Sequence, residues 1–336
     1  MTVSDLTEAE LISRIRRRLE PAPAWMIVGI GDDAAVVEPE RNRLEVLTVD
    51  ALVEGVHFDR TFTAPAAIGH RALAVNLSDL AAMGATPRLA LLSLALPEAL
   101  AIDEFDAMVD GLCVLAARAR VAVAGGNLTK SPGPLMLDIT ATGTVKRRGA
   151  LVRTGARPGH ELYVSGTIGA AAAGLQMLRE KCSTTEDTED TEGRKRCIER
   201  YLYPEPRLRL GTLLGRNRLA TACIDLSDGL ADGVRQIAEA SGVGALIDAD
   251  ALPIEPDVRR WLASRHPDAI DQALTGGDDY ELLFAVKPRA ARQLHNVCRS
   301  AGVAITRIGA CTADRQIVLR GAGGSAPWPR GYSHFR

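Results

Sequence analysis

The chain has 336 residues, 46% hydrophobic and 24% charged, an ordinary globular make-up and long enough for two domains. With 40 Lys and Arg against 42 Asp and Glu the net charge is −2, and aromatic residues make up only 4%. There is no global basic excess to drive sequence-independent binding to nucleic acid or acidic membrane, and few rings to stack single strands.

In chain order, Leu6, Leu11, Ile12, Ile15 and Leu19 recur at helical spacing, which predicts a first helix over 6–19 capped by Ser4 or Thr7. A buried strand is expected at Leu44–Val49, then a long Ala/Leu helix at 64–83 ended by Gly84 and Pro87. Next come a strand at Leu89–Leu96, a helix at Ile102–Arg118, a short strand at Val121–Ala124 ending in Gly125-Gly126, and a strand at Leu135–Val145. The composition turns basic and Gly-rich between Lys146 and Pro158, which predicts domains over 1–148 and 149–336. The second half reads as strand 161–164, helices 169–179 and 207–215, strand 221–224, helix 228–240 and strand 245–247. Strand 282–286, helix 289–300 and strand 305–308 complete it, so each half mixes strands and helices as α/β or α+β. Residues 181–200 stand apart as a low-complexity, charged insertion, expected to be a solvated loop.

No signal-like start and no apolar run of membrane-spanning length is present, and the six cysteines form no Cys-x-x-Cys pair. A cytoplasmic, reduced setting with free thiols is the expectation, although Cys182 and Cys197 bracket the insertion and could pair if oxidised.

The sequence has no G-x-x-x-x-G-K-[ST] loop, no protein-kinase motif set and no H-E-x-x-H. What it does have is carboxylates beside glycines or near element ends: Asp32-Asp33, Asp50, Asp79, Asp225 with Asp228-Gly229, and Gly277-Asp278-Asp279. Each alone is a common turn or cap. Brought together, such groups repel unless a cation joins them, and hard oxygen donors suit Mg2+. The consistent chemistry is phosphoryl transfer, in which metal ions neutralise charge on phosphate oxygens.

Several segments together resemble the thiamine-monophosphate kinase family, within the aminoimidazole-ribonucleotide-synthetase-like superfamily. They are Gly29-Ile-Gly-Asp-Asp-Ala-Ala-Val-Val37, Thr48-Val-Asp50, Val53-Glu-Gly-Val-His-Phe58 and Ala72–Ala85, then Ile224-Asp-Leu-Ser-Asp-Gly-Leu230, Gly276-Gly-Asp-Asp-Tyr-Glu-Leu282 and Gly331-Tyr-Ser-His-Phe335. The resemblance implies a two-domain synthetase-like α/β fold, a homodimer through the N-terminal sheets, and γ-phosphoryl transfer from ATP to thiamine monophosphate, the last step to thiamine diphosphate. It implies Mg2+ ligands at Asp33, Thr48, Asp50, Asp79, Asp225 and Asp228, ATP contacts at Gly126, Arg153 and Ser227, and thiamine-phosphate contacts at His57, Asp278 and Tyr332. On the residues alone, Arg153 reads equally as a surface arginine, His57 as a core histidine, Tyr332 as a tail anchor, and Thr48 and Ser227 as turn or cap residues.

The chain departs from the family at Asn127, where an aspartate usually follows Gly125-Gly126; an amide offers a neutral oxygen and makes a weaker metal ligand. Asp278 stands for a glutamate, while His160 and Ser333 each stand for an aspartate. Two alternatives stay open: another ATP-using enzyme of the superfamily, and a catalytically weakened protein that binds nucleotide or thiamine phosphate. An acceptor that is already a phosphate monoester is largely dianionic near pH 7, its second pKa being ~6, so no catalytic acid or base is expected.

Overall fold

A computed structural model describes residues 1–183, 192–266, 268–322 and 324–331. The expected thiamine-phosphate contact Tyr332, with Ser333, falls outside these, as does the Cys182 side chain. The chain divides into two compact units, Met1–Leu80 with Thr86–Arg147, and Ala81–Ala85 with Arg148–Arg336.

The first unit begins with α1 (Glu8–Arg16), capped by Thr7, whose hydroxyl accepts the Glu10 amide at 3.3 Å. A small antiparallel pair, β1 (Met26–Val28) and β2 (Val36–Val37), follows. Then come β3 (Arg43–Val53), α2 (Pro65–Ala82), β4 (Thr86–Pro97), α3 (Ile102–Ala119), β5 (Ala122–Ser131) and β6 (Met136–Lys146). The sheet order is β3-β6-β4-β5, with only β4 and β5 parallel. Along β3, Val46, Thr48, Asp50 and Leu52 alternate with the exposed Leu47, Val49 and Ala51, so one face of the strand is more covered than the other. Asp50 lies inside this strand, which runs on to Val53, rather than closing it as the apolar run suggested. Likewise β5 continues through Gly125-Gly126 to Ser131, because parallel pairing with β4 holds the polar residues extended.

The second unit contains β7 (Glu161–Ser165), α4 (Ala170–Ser183), α5 (Glu192–Leu202), α6 (Leu208–Asn217), β8 (Ala220–Asp225), α7 (Leu230–Ser241) and β9 (Gly244–Asp248). It ends with α8 (Pro256–Ala263), α9 (Ala269–Thr275), β10 (Leu282–Val286), α10 (Ala291–Ala301), β11 (Ile305–Thr312), β12 (Ile317–Gly321) and β13 (Gly324–Pro327). Its seven strands run β13-β12-β9-β11-β7-β10-β8 and are antiparallel except for β9 with β12. Apolar residues fill both faces: Ile224, Leu283 and Ile247 pack with Val234 and Ile237 of α7, while Tyr163 and Phe284 pack with Leu214 and Leu294 of α6 and α10. A further cluster joins Met177, Cys197, Val258, Leu262 and Ala273 from α4, α5, α8 and α9.

The expectation of a loop over 181–200 is corrected in part. Residues up to Ser183 belong to α4 and those from Glu192 to α5, where Cys197 and Tyr201, one helical turn apart, are buried. Residues 184–191 lie outside the described set.

Candidate functional site

In the first unit a cavity of about 820 Å3 opens between the Gly29–Ala35 segment and β5 and β6. Asp32 and Asp33 line one side, Gly126 and Asn127 another, and Asp138 the third, with no lysine or arginine among the lining residues. Sheet register sets this arrangement: Asn127 pairs with Ser93, and Ser93 with Asp138, so the three side chains share a row on one face. Gly126 is fixed by close packing, since a Cβ there would sit 1.9 Å from the Leu92 carbonyl oxygen. Asp138 was not foreseen from sequence; an isolated Asp between Leu137 and Ile139 gives no signal until register places it.

Three other residues expected to bind metal lie on the β3–α2 side of the same unit. The Thr48 hydroxyl donates to the Asp79 carboxylate of α2, and Asp50 projects from the same face of β3 as Thr48. None of these three lines the cavity that holds Asp33 and Asn127. His57 sits in the turn after β3, where its Nδ1 accepts the Val53 amide at 3.1 Å. It is half-buried, with the adjacent Phe58 supplying the core contact at 3% exposure. A neutral His57 with Nδ1 accepting carries its proton on Nε2.

In the second unit, Asp225 ends β8 and is buried, while Ser227 is exposed and Asp228 half-buried in the turn before α7. The segment Gly276–Glu281, leading into β10, is bonded directly to that turn. The Asp278 amide donates to the Ser227 carbonyl at 2.8 Å, the Tyr280 amide to the Leu226 carbonyl at 3.0 Å, and the Leu226 amide to the Glu281 carbonyl at 2.8 Å. Gly277 permits the approach: a Cβ there would be 2.5 Å from the Ser227 carbonyl oxygen. The two sequence motifs are thus one structural platform. Asp278 and Tyr280 take left-handed φ angles of 67° and 50°, uncommon for residues other than glycine, and the Tyr280 hydroxyl donates to Asp278 Oδ1 at 3.1 Å.

Behind the platform, Asp279 and Glu281 take a bracing role that sequence reasoning did not assign to them. The Asp279 carboxylate accepts the Gly169 and Ala171 amides at 2.7 and 3.2 Å, at the start of α4. Burial nevertheless pushes its pKa up to about 7, outweighing the two amides and Arg200, which favour the charged form. Glu281, fully buried, receives Arg200, Arg207 and the Ser165 hydroxyl. Arg153 is exposed and donates to Gln236 of α7 at 2.6 Å. Gln236 in turn donates to the buried Asp232, against which Gly331 packs. The described cysteines offer no nucleophile: burial raises Cys113, Cys197 and Cys311 to about 11, and lifts Cys223 and Cys298 as well.

The residues expected to hold metal, Asp33, Thr48, Asp50, Asp79, Asn127, Asp225 and Asp228, present carboxylate, amide and hydroxyl oxygens, a hard donor set suited to Mg2+. Among the described residues, no group of three or more His, Cys, Asp or Glu could hold an ion alone. Mg2+ usually takes one or two carboxylates and completes its shell with water and substrate phosphate, so the oxygen donors in each unit fit it. Among the described residues no helix is long and apolar enough to cross a membrane.

Residues 31–145 match the family model of the AIR synthase related protein, N-terminal domain, and residues 157–321 that of the C-terminal domain. The thiamine-monophosphate kinase of Salmonella typhimurium is 39% identical over 98% of both chains. The crystal structure of thiamine-monophosphate kinase from Stenotrophomonas maltophilia K279a superposes with a TM-score of 0.82 at 41% identity, covering 96% of this chain and 98% of the other. AaThiL complexed with AMPPCP and TMP matches with a TM-score of 0.76 at 32% identity, covering 100% of this chain and 99% of the other.

Proposed function

The chain belongs to the thiamine-monophosphate kinase family, and from that premise we propose that it transfers the γ-phosphoryl group of ATP to thiamine monophosphate, giving thiamine diphosphate and ADP. The observation that carries this reading is the bonded platform of Asp225–Gly229 and Gly276–Glu281, which joins the segment expected to hold metal and nucleotide to the one expected to contact substrate. The bound AMPPCP and TMP of AaThiL support the same pair of ligands.

The acceptor needs no strong base, because a phosphate monoester is largely dianionic near neutral pH, its second pKa being ~6. The work left to the protein is positioning and charge neutralisation. Asp33, Thr48, Asp50 and Asp79, with Asn127 as a weaker ligand, would hold Mg2+ in the first unit, and Asp225 and Asp228 would do so in the second. Mg2+ ions, when bound, would supply positive charge to the phosphate groups. Gly126 and Ser227 would contact ATP, and Arg153 would contribute a fixed cation to it, already steered by Gln236. Asp278, whose Oδ1 accepts the Tyr280 hydroxyl, would contact the cationic thiazolium, and His57, held by the Val53 amide, would contact the acceptor phosphate. Tyr332 stays with them as a candidate substrate contact. Transfer is direct, without a phosphoenzyme.

We also propose a cytoplasmic homodimer formed through the first unit's sheet. Val49, Thr140 and Leu91 form a cross-strand row there, with Leu47 nearby; Leu47 is 71% and Val49 58% exposed.

Purified protein supplied with Mg2+, ATP and thiamine monophosphate is expected to yield thiamine diphosphate and ADP in equal amounts, with no labelled phosphoryl group retained on the chain. Absence of both turnover and thiamine-monophosphate binding would overturn the assignment. Asn127 favours one other reading, a weakened binding protein; binding of both ligands without turnover, restored by Asn127→Asp, would select it.

A further inference from the structure

We infer that Arg200 is a positioning residue for the thiamine-phosphate site, acting through the backbone of Asp279 and the carboxylate of Glu281 to fix the segment that carries Asp278. The inference rests on the reading of Asp278 as a substrate contact. Its basis is a buried charge cluster that the transfer chemistry does not use.

Arg200 comes from α5, where burial of Cys197 and Tyr201 aims it at β10 and the segment before it. Its Nη2 donates to Glu281 Oε1 at 2.7 Å and to the Asp279 carbonyl at 3.2 Å, with the Thr167 carbonyl at 3.5 Å. Glu281 is held from two further directions, by Arg207 Nε at 2.6 Å and by the Ser165 hydroxyl at 2.5 Å. That hydroxyl also accepts the Leu282 amide at 2.9 Å. Asp279 is anchored at the start of α4 by the Gly169 and Ala171 amides. On either side of Asp279 the chain carries a left-handed residue, Asp278 and Tyr280, a conformation that persists only when its surroundings over-determine it.

Arg207 already supplies a cation to Glu281, so charge balance alone does not call for the geometry Arg200 adopts. What Arg200 adds is a joint hold on a backbone carbonyl and a carboxylate from one planar group. All of these contacts are made by Nη2, and a lysine, which keeps the charge on a side chain one atom shorter, stops short of that position. The Asp278 amide is bonded to Ser227 and its carboxylate to Tyr280, so a shift of the 279–281 backbone is transmitted to Asp278.

The test is steady-state kinetics of Arg200→Lys, with both substrates varied. The expected result is a KM for thiamine monophosphate raised about tenfold, with the KM for ATP within about twofold of wild type. An unchanged KM for thiamine monophosphate, or equal rises in both KM values, would overturn the inference. Hydrogen exchange on the wild-type protein gives a second measurement that needs no variant. Adding thiamine monophosphate should raise protection in residues 196–203 together with residues 276–282; protection confined to 276–282 would count against it. Wild-type protein that neither binds nor phosphorylates thiamine monophosphate would remove the functional reading itself, and this inference with it.

Discussion

The carboxylates of the two units are treated in opposite ways. In the second unit Asp279 and Glu281 are buried and fully engaged, by helix amides in one case and by two arginines and a serine in the other. In the first unit's cavity, Asp33 is exposed and Asp138 half-buried, and no basic residue lines the wall they share. The contrast separates two uses of negative charge. An acid enclosed by donors fixes backbone; an acid left open among other acids fixes none, and in the first unit Asp33 carries the proposed metal role instead.

The sharpest way to break this comparison is to remove Glu281. Glu281→Ala leaves Arg200 and Arg207 without their shared carboxylate, a loss of about 3–5 kcal/mol for a broken buried pair. Urea unfolding should show it directly; a change within 0.5 kcal/mol, ~the scatter of ordinary surface substitutions, would mean the cluster braces nothing.

A smaller effect is expected from pH through Asp279. Its pKa in the folded chain is about 7 against the usual 3.8, so between those values the folded state holds the extra proton. Stability should therefore fall as pH rises from near 4 through 7, and this contribution levels off above that. Unfolding midpoints from pH 5 to pH 8 should decline more steeply in wild type than in Asp279→Asn. Equal slopes would show that the group does not titrate there.

The smallest shift belongs to the open cavity. Asp138→Asn removes one of several like charges and no ion pair, so the ligand-free protein should keep its Tm or gain about 1–3 °C. A marked loss would mean that Asp138 is a structural acid like Asp279, and the contrast between the units would dissolve.

Much of this was legible in the residues. The apolar runs gave β3, β4, α2 and α3, and the Asp-Leu-Ser-Asp-Gly and Gly-Gly-Asp-Asp motifs marked both halves of the platform. The expected loop over 181–200 failed at Glu192–Leu202, because two buried residues one turn apart are enough to dock a helix whose other faces are charged. The strand expected to end at Gly125-Gly126 instead runs on to Ser131, because parallel pairing with β4 holds those polar residues extended.

Sequence by itself determined the family and the two-part α/β plan, because local pattern and residue type carry that information. Only the tertiary structure decided which acids brace and which stay open. Glu281 lies 81 residues from Arg200 and 74 from Arg207, and Asn127 meets Asp138 only through the strand between them. Burial and partnership are properties of space, and a carboxylate in a string of letters has neither.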